Sequence, residues 1–443
     1  QEPCRGCRSC AAFKARLEPP MNDSRSNCGC DEFKSLQSNF SRRGFLNGVL
    51  ALGGGLAIAV EPGFDYALAA PGEVAADVIV MVSMRGGMDG LMAVPVLGDP
   101  QLQKYRPTTA VRDSDNLQLD SQFGLHKNLA DFKSMFDKQE LAIVHAVGTP
   151  TGTRSHFDDQ LAIELAAYDN PETTSGWQTR YLQAIGSTQI LNGVSVSKNK
   201  AAGFTGATYA ATFEDLDQVT IDSVGSDRAG YLELLRQMHK NHDHQWAKTG
   251  LSTIQASETL RSISQVSAVT YPESDFGRRL KLLATLMRAG TPIKTANIDF
   301  GGDLDVHSEA GVAVGTMADN FKDLNDSIAA FKLDVGALWA KTTIVTVTEF
   351  GRRLQENASA GVDHGWGSAM FVMGGGIKGG KVVANWPGLG ERDLNNGDLK
   401  VTLDYRHVLT DVLRHRGNLT SSEVNSIFPG FKFTELGLAR QLG

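Results

Sequence analysis

The stretch DVIVMVSMRGGMDG, residues 77–90, decides the fold class of this chain. Its first eight residues form an apolar run rich in β-branched side chains, and the run stops at a loop that contains three glycines. A short continuous apolar run that ends at glycine is typical of a strand buried on both faces of a parallel sheet. The stretch therefore predicts a central strand that delivers a glycine-rich loop to one edge of a sheet.

Four more runs of the same kind follow along the chain, each close to a polar or glycine-rich loop, and helical patterns lie between them. Strands that alternate with helices predict an α/β fold, with a mostly parallel sheet sandwiched by helices. The predicted strands are residues 141–147, 293–300, 342–348 and 369–373, and the clearest helical patterns are 276–289 and 317–339.

The segment 193–267 differs from the rest of the chain. It combines short β-like pieces with polar helical stretches, so we interpret it as an accessory or cap region of one large domain, residues 70–443.

Charge and cysteine content exclude two classes of protein. The chain has a net charge of −7, whereas nucleic-acid binding requires a basic face. All five cysteines precede Arg42, so the predicted domain contains none. We therefore expect burial of apolar side chains, and not disulfides, to stabilise it.

Residues 1–69 are predicted to be a leader. Arg42 and Arg43 stand directly before an apolar, glycine-rich run, which is the pattern of a twin-arginine signal peptide. The run is shorter than a membrane-spanning helix requires, and cleavage after Ala69 would suit the small residues found there. The sequence therefore predicts a periplasmic or secreted protein that the twin-arginine translocation machinery exports folded; an uncleaved anchor is the alternative.

Acidic and histidine side chains gather near the predicted strand ends. Because carboxyl ends of parallel strands meet at one edge of a sheet, we expect these groups to converge there. Carboxylate oxygens and imidazole nitrogens are the ligands of one or two divalent metal ions, such as zinc, magnesium, manganese or calcium. The groups near strand ends are Asp89, Ser155, His156, Asp303, Asp305, His307, Glu349, Asp363 and His364.

Ser155 has two interpretations at this stage. It lies at the predicted start of a helix, where free N–H groups favour an anion and lower the cost of forming a serine alkoxide. The same position is typical of a helix N-cap. The neighbouring Arg154 would supply the positive charge that a phosphate or sulfate oxyanion requires.

The order of motifs resembles the twin-arginine-exported bacterial family called domain of unknown function 1501. The matching motifs lie in order along nearly the whole predicted domain. They include RGGMDGL at 85–91, TRSHF at 153–157, TEFGR at 348–352 and DHGWGSAM at 363–370.

The family is similar to the alkaline phosphatase and sulfatase superfamily, and this resemblance implies roles for individual residues. Arg154, Ser155 and His156 would be catalytic, with Ser155 as the nucleophile. The implied metal ligands are Asp89, Asp305, His307, Glu349 and His364. Asp303 is an alternative to Asp305, because it lies four residues before His307.

The sequence thus indicates an exported metal-dependent hydrolase of phosphate or sulfate esters with an alkaline-phosphatase-like fold. The alternative is a non-catalytic protein of the periplasm or cell envelope that keeps the fold with a degenerate metal site.

Overall fold

The computed structural model describes residues 57–59 and 77–441, apart from 171, 188, 208–209, 217–226, 241 and 243–244. Most of the predicted leader, including both signal arginines, lies outside the described residues. Among the residues that are described, no helix is both long and apolar enough to cross a membrane.

A ten-stranded sheet organises the described chain. Its strand order is β1-β7-β6-β8-β2-β9-β12-β5-β13, with β14 also pairing with β5. The strands in the sheet are β1 (Ala57–Ala59), β2 (Val78–Ser83), β5 (Leu141–Gly148), β6 (Gly193–Val196), β7 (Ala210–Thr212), β8 (Thr295–Asp299), β9 (Thr342–Val347), β12 (Ser368–Gly374), β13 (Lys381–Val383) and β14 (Leu403–Asp404). Two small hairpins lie outside the sheet, one of β3 (Asn116–Gln118) with β4 (Gly124–His126) and one of β10 (Arg352–Glu356) with β11 (Val362–His364).

The sheet is mostly parallel, as predicted. β2 pairs in parallel with β8 on one side and with β9 on the other. β12 is an exception, because it runs antiparallel to both β9 and β5. The start of β12 consequently lies at the same edge of the sheet as the ends of its neighbours.

Eleven α-helices are present in the described residues, and most of them cover the two faces of the sheet. They are α1 (Gly90–Ala93), α2 (Pro100–Tyr105), α3 (Ala130–Asp137), α4 (His156–Leu165), α5 (Trp177–Ala184), α6 (Arg228–Lys240), α7 (Gln245–Ser262), α8 (Asp275–Arg288), α9 (Thr316–Val335), α10 (Tyr405–Arg416) and α11 (Ser421–Ile427).

Alternation along β2 explains why both faces are covered. Val78, Val80 and Val82 point into one apolar core with side chains of α3, α8 and α9, whereas Ile79 and Met81 point into the other with α5, α10 and α11. Complete burial of each such aliphatic side chain contributes about 1.5–3 kcal/mol. The continuous apolar run in the sequence is therefore the signature of a strand between two cores.

The predicted strands are confirmed, with small shifts at their ends; the run at 293–300, for example, is shortened to β8. The boundary of the accessory region is corrected. β6 and β7, at the beginning of 193–267, belong to the central sheet. The helices α6 and α7 pack together, and Ala256 and Leu260 of α7 enter the main core.

His145 is a core histidine in the middle of β5. Its ring is fully buried, its Nε2 lies 2.9 Å from the carbonyl oxygen of Val94, and its Nδ1 accepts from the N–H of Ala146. Burial lowers the pKa of His145 from 6.5 to about 4. The ring is therefore neutral in the folded protein at neutral pH.

This histidine predicts a loss of stability in acid. Between pH 7 and pH 4, His145 binds a proton in the unfolded chain but stays neutral in the folded chain. The free energy of unfolding therefore falls by up to about 3 kcal/mol as the pH is lowered. Urea unfolding at a series of pH values, compared with His145→Gln, measures this effect. We expect a shallower decline for the variant; identical slopes would contradict the assignment.

Candidate metal centre

Three histidines and one aspartate meet at the edge of the sheet where β5, β8 and β9 end. His156 is the first residue of α4, which follows β5, while Asp305 and His307 lie in the loop after β8. His364 ends β11, just before β12. It reaches the same edge because β12 is antiparallel to its neighbours.

The ligand atoms of this cluster are very close together. The Nε2 of His364 lies 3.1 Å from the Nε2 of His156 and 3.1 Å from the Nε2 of His307. The carboxylate of Asp305 completes the group, with Oδ1 at 3.1 Å from His364 and 2.9 Å from His307, and Oδ2 at 3.3 Å from His156. His156, Asp305 and His364 satisfy the geometry of a metal-binding group.

The other ring nitrogen of each histidine has an oxygen partner. The Nδ1 of His156 lies 2.7 Å from Oε1 of Glu349, and the Nδ1 of His307 lies 3.0 Å from Oδ1 of Asp363. The Nδ1 of His364 lies 3.0 Å from the carbonyl oxygen of Arg154. Because these oxygens can only accept, an Nδ1–H tautomer satisfies each of them, and in that tautomer each Nε2 presents a lone pair to the cluster.

Lone pairs that converge in this way fit a metal ion. The Nε2 of His364 lies about 3 Å from that of each other histidine, and uncharged nitrogens at this distance repel one another unless a cation lies between them. A tetrahedral zinc ion with its usual bond lengths separates its ligand atoms by roughly 3.3 Å, close to the distances in the cluster. Holding the outer nitrogen of a metal-binding histidine with a carboxylate or a carbonyl is also the common arrangement in metal centres.

Arg352 fixes the position and charge of Asp305. Its guanidinium is fully buried and donates to Oδ1 of Asp305 at 2.7 Å. Partial burial raises the pKa of Asp305, but the hydrogen bond and charge of Arg352, together with the histidines, lower it to about 2. Asp305 is therefore an anionic oxygen donor over the whole physiological range.

Glu349 was predicted to bind metal directly, and the structure gives it a supporting role. It is buried, and its Oε1 accepts from His156, from the side chain of Gln160 and from the N–H of Gly86. Burial raises the pKa of Glu349, but these hydrogen bonds lower it by more, so the net shift of the pKa is downward. The charged carboxylate is held against His156 and orients its ring.

Asp89 was also predicted to be a ligand, and this prediction is wrong. Its Oδ1 accepts from the N–H groups of Leu91 and Met92 and so caps α1. Its Oδ2 receives the guanidinium of Arg106 at 2.6 Å, and both side chains have no exposed surface. Asp89 is thus a buried structural anion; the turn role of aspartate in a glycine loop accounts for it.

Arg154 and Ser155 lie at the start of α4, beside the cluster. The guanidinium of Arg154 pairs with the buried Asp398, and its backbone carbonyl is what contacts the cluster. Ser155 is the N-cap of α4, and its Oγ accepts from the N–H of Asp158. Of the alternatives Asp303 and Asp305, Asp305 belongs to the cluster. The Oδ1 of Asp303 accepts a hydrogen bond from the backbone N–H of Asp305.

Sequence reasoning missed the supporting residues Gln160 and Arg352, and it placed Asp363 near a strand end without assigning it this role. Asp363 could have been found from its place beside His364 in the DHG motif, and Gln160 from its place one helical turn after His156. Arg352 gave no such signal, because only the folded loops show that its guanidinium is buried.

The family resemblance is confirmed. The chain belongs to the family of proteins of unknown function DUF1501, whose pattern matches residues 76–427. Among curated proteins, no sequence matches the chain significantly.

Several solved structures are similar to this one. The sulfatase PsFucS1 from Pseudoalteromonas sp. has 14% identity and a TM-score of 0.37, with 83% of this chain and 74% of the sulfatase covered. The zinc complex of the periplasmic domain of EcEptC from Escherichia coli has 11% identity and a TM-score of 0.32, with coverage of 71% and 77%. A mutant of the alkaline phosphatase PafA has 10% identity and a TM-score of 0.33, with coverage of 64% for both chains.

Removing one imidazole tests the cluster as a metal centre. We expect the purified chain to retain about one divalent ion, and His364→Ala to lose it, because a tetrahedral site with a missing nitrogen binds far more weakly. Elemental analysis after dialysis measures the metal content. His415→Ala, a histidine outside the cluster, is the matched control, and equal metal in all three proteins would reject the site.

Glu349 provides a finer test, because its carboxylate holds the ring of His156 but is not one of the groups that converge in the cluster. Glu349→Gln keeps the shape but removes the charge that orients His156, so we expect metal affinity to fall by about 10–100-fold. Competition with a metal chelator measures the change. The exposed Glu391→Gln serves as the control, and unchanged affinity in Glu349→Gln would show that the carboxylate has no such role.

Proposed function

We propose that this chain is a metal-dependent hydrolase of phosphate or sulfate esters. The observation that carries the proposal is the convergence of three imidazole Nε2 atoms on one ionised carboxylate, with every outer nitrogen held by an oxygen partner. Such a donor set suits zinc or a similar divalent ion, and it lies open to solvent, because His307 and Asp305 are about half exposed.

His156, His364 and Asp305 would hold the ion, with His307 beside them. A bound divalent ion would supply a positive charge that stabilises the charge developing on a phosphoryl or sulfuryl oxygen. The chain's own contribution is orientation: Glu349, Asp363 and the carbonyl of Arg154 fix the three rings.

Ser155 is the proposed nucleophile. It directly precedes His156 at the start of α4, where the helix dipole favours negative charge. Its Oγ would attack the phosphorus or sulfur, the bond to the ester oxygen would break, and the alcohol would leave with a proton. Water would then cleave the serine ester and release phosphate or sulfate.

A cavity of about 210 Å³ beside the cluster offers room for the organic part of the ester. It is lined by Trp366, Phe350, Asn395 and Asn396, among others. The ring of Phe350, which lines the cavity, lies 4.8 Å from the ring of His364, so one wall of the cavity is next to the cluster. An aromatic and amide lining suits a leaving group that combines apolar faces with hydrogen-bonding groups.

Export in the folded state accompanies the proposed activity. The twin-arginine pattern at Arg42 and Arg43 favours delivery to the periplasm or beyond by the twin-arginine translocation machinery, with cleavage after Ala69. β1 lies within this leader, so cleavage would remove one edge strand of the sheet.

Activity measurements separate the hydrolase from a non-catalytic protein that keeps the fold. We expect the metal-loaded chain to hydrolyse an aryl phosphate or an aryl sulfate, and removal of the metal by a chelator to abolish the activity. A chain that binds metal stoichiometrically yet hydrolyses neither class of ester would favour the non-catalytic, cell-envelope alternative.

Ser155 variants separate a nucleophile from a helix cap. Ser155→Ala should lower stability by about 1 kcal/mol, because it removes the cap, whereas Ser155→Asn should keep the stability. Both should lower kcat by about 10³-fold or more if Ser155 attacks the ester. Full activity in Ser155→Asn would assign the attack to water and leave Ser155 as a cap alone.

A further inference from the structure

The guanidinium of Arg85 joins three elements of the fold close to the metal centre. Arg85 lies two residues after β2, in the glycine-rich loop. Its Nε donates to Oδ1 of Asp299 at 2.8 Å, and its Nη2 donates to Oε1 of Glu164 at 2.5 Å. Asp299 is the last residue of β8, and Glu164 lies near the end of α4. The loop is thereby connected both to a neighbouring strand and to the helix that begins with His156.

The third nitrogen of this guanidinium leads towards the cluster. The Nη1 of Arg85 donates to Oε1 of Gln160 at 3.0 Å, and the Nε2 of Gln160 donates to Oε1 of Glu349 at 2.8 Å. The same oxygen of Glu349 lies 2.7 Å from the Nδ1 of His156. A continuous hydrogen-bond network of four side chains therefore extends from Arg85 to a histidine of the cluster.

The partners of Gln160 fix the orientation of its amide. Arginine can only donate hydrogen bonds, and an ionised carboxylate can only accept them. An amide between Arg85 and Glu349 satisfies both only when its oxygen faces the guanidinium and its nitrogen faces the carboxylate. Arg85 therefore determines that Gln160 offers a donor, and not an acceptor, to Glu349.

This orientation matters because the carboxylate of Glu349 is buried. Its side chain is 1% exposed, so protein donors must replace the water that an ionised carboxylate would otherwise bind. Besides Gln160 and His156, the N–H of Gly86 donates to its Oε1 at 2.8 Å. Without Gln160, Glu349 would lose one donor and could move away from the imidazole that it orients.

Arg85 also contributes to the stability of the fold, and this contribution uses different contacts. The side chain of Glu164 is 4% exposed, so removal of Arg85 would leave a buried carboxylate without its cation. That effect acts through Glu164 and Asp299, whereas the connection to His156 passes through Gln160. The two effects can therefore be measured separately.

We propose that Arg85 and Gln160 are positioning residues of the metal centre. Arg85 orients the amide of Gln160, the amide holds the carboxylate of Glu349, and the carboxylate holds the ring of His156. The inference rests on the proposed metal-dependent function, because it requires an ion at the cluster. Hydrogen bonds connected in series strengthen one another, so loss of one member weakens the hold on the ring.

A double-mutant cycle tests the network in the full-length protein, with zinc affinity measured by competition with a chelator. Gln160→Met keeps the length of the side chain but cannot form either hydrogen bond, so we expect the affinity to fall by about tenfold. Arg85→Met should cause a similar loss. In the Gln160→Met background, Arg85→Met should lower the affinity by less than about twofold, because the connection is already broken.

A matched control is Gln237→Met on α6, where an exposed glutamine amide donates to Glu233; we expect unchanged zinc affinity. Urea unfolding of the same variants measures the separate effect of Arg85 on stability. Equal losses of zinc affinity from Arg85→Met in both backgrounds would assign Arg85 to the fold alone and overturn the inference. Unchanged affinity in Gln160→Met would do the same, whereas a wild-type protein that binds no zinc would also overturn the proposed function.

Discussion

The buried guanidinium of Arg352 is the interaction on which the candidate centre depends. It donates to backbone carbonyls of the loop after β2, of the loop after β8 and of β11, and it also holds the carboxylate of Asp305. A cation without exposed surface is costly unless its donors are satisfied, and here each nitrogen has an oxygen acceptor. Three segments that are distant in the chain are thereby fixed at one point.

The glycines of the first loop are part of the same constraint. Gly87 has φ +70°, and a Cβ atom there would lie 2.8 Å from the ring of Phe350. Only glycine allows the loop to approach Arg352 and Phe350 so closely. The glycines of the RGG motif are therefore required for packing around the guanidinium. Asp89, which follows the motif, has the separate role of capping α1.

Much of the fold could be predicted from sequence, because a strand that is buried on both faces has a continuous apolar run in its sequence. The convergence of Asp305, His307 and His364 followed from their places near strand ends. The sequence did not show which acids contact the histidines of the cluster and which form structural ion pairs elsewhere. Asp89 and Glu349 both follow apolar strands, yet one faces Arg106 and the other faces His156, and only the three-dimensional contacts separate these cases. The antiparallel direction of β12, which explains how His364 reaches the cluster, leaves no mark in composition either.

The three ring nitrogens come from chain positions 156, 307 and 364, and their orientation is set by protein oxygens alone. The pocket consequently exists only after nearly the whole polypeptide has been synthesised and has assembled. Raw affinity alone does not select among first-row divalent cations at nitrogen donors, so geometry, ligand type and availability together decide which one binds. The cellular compartment in which folding finishes, and the free concentrations of cations there, would then influence which ion could bind at this cluster.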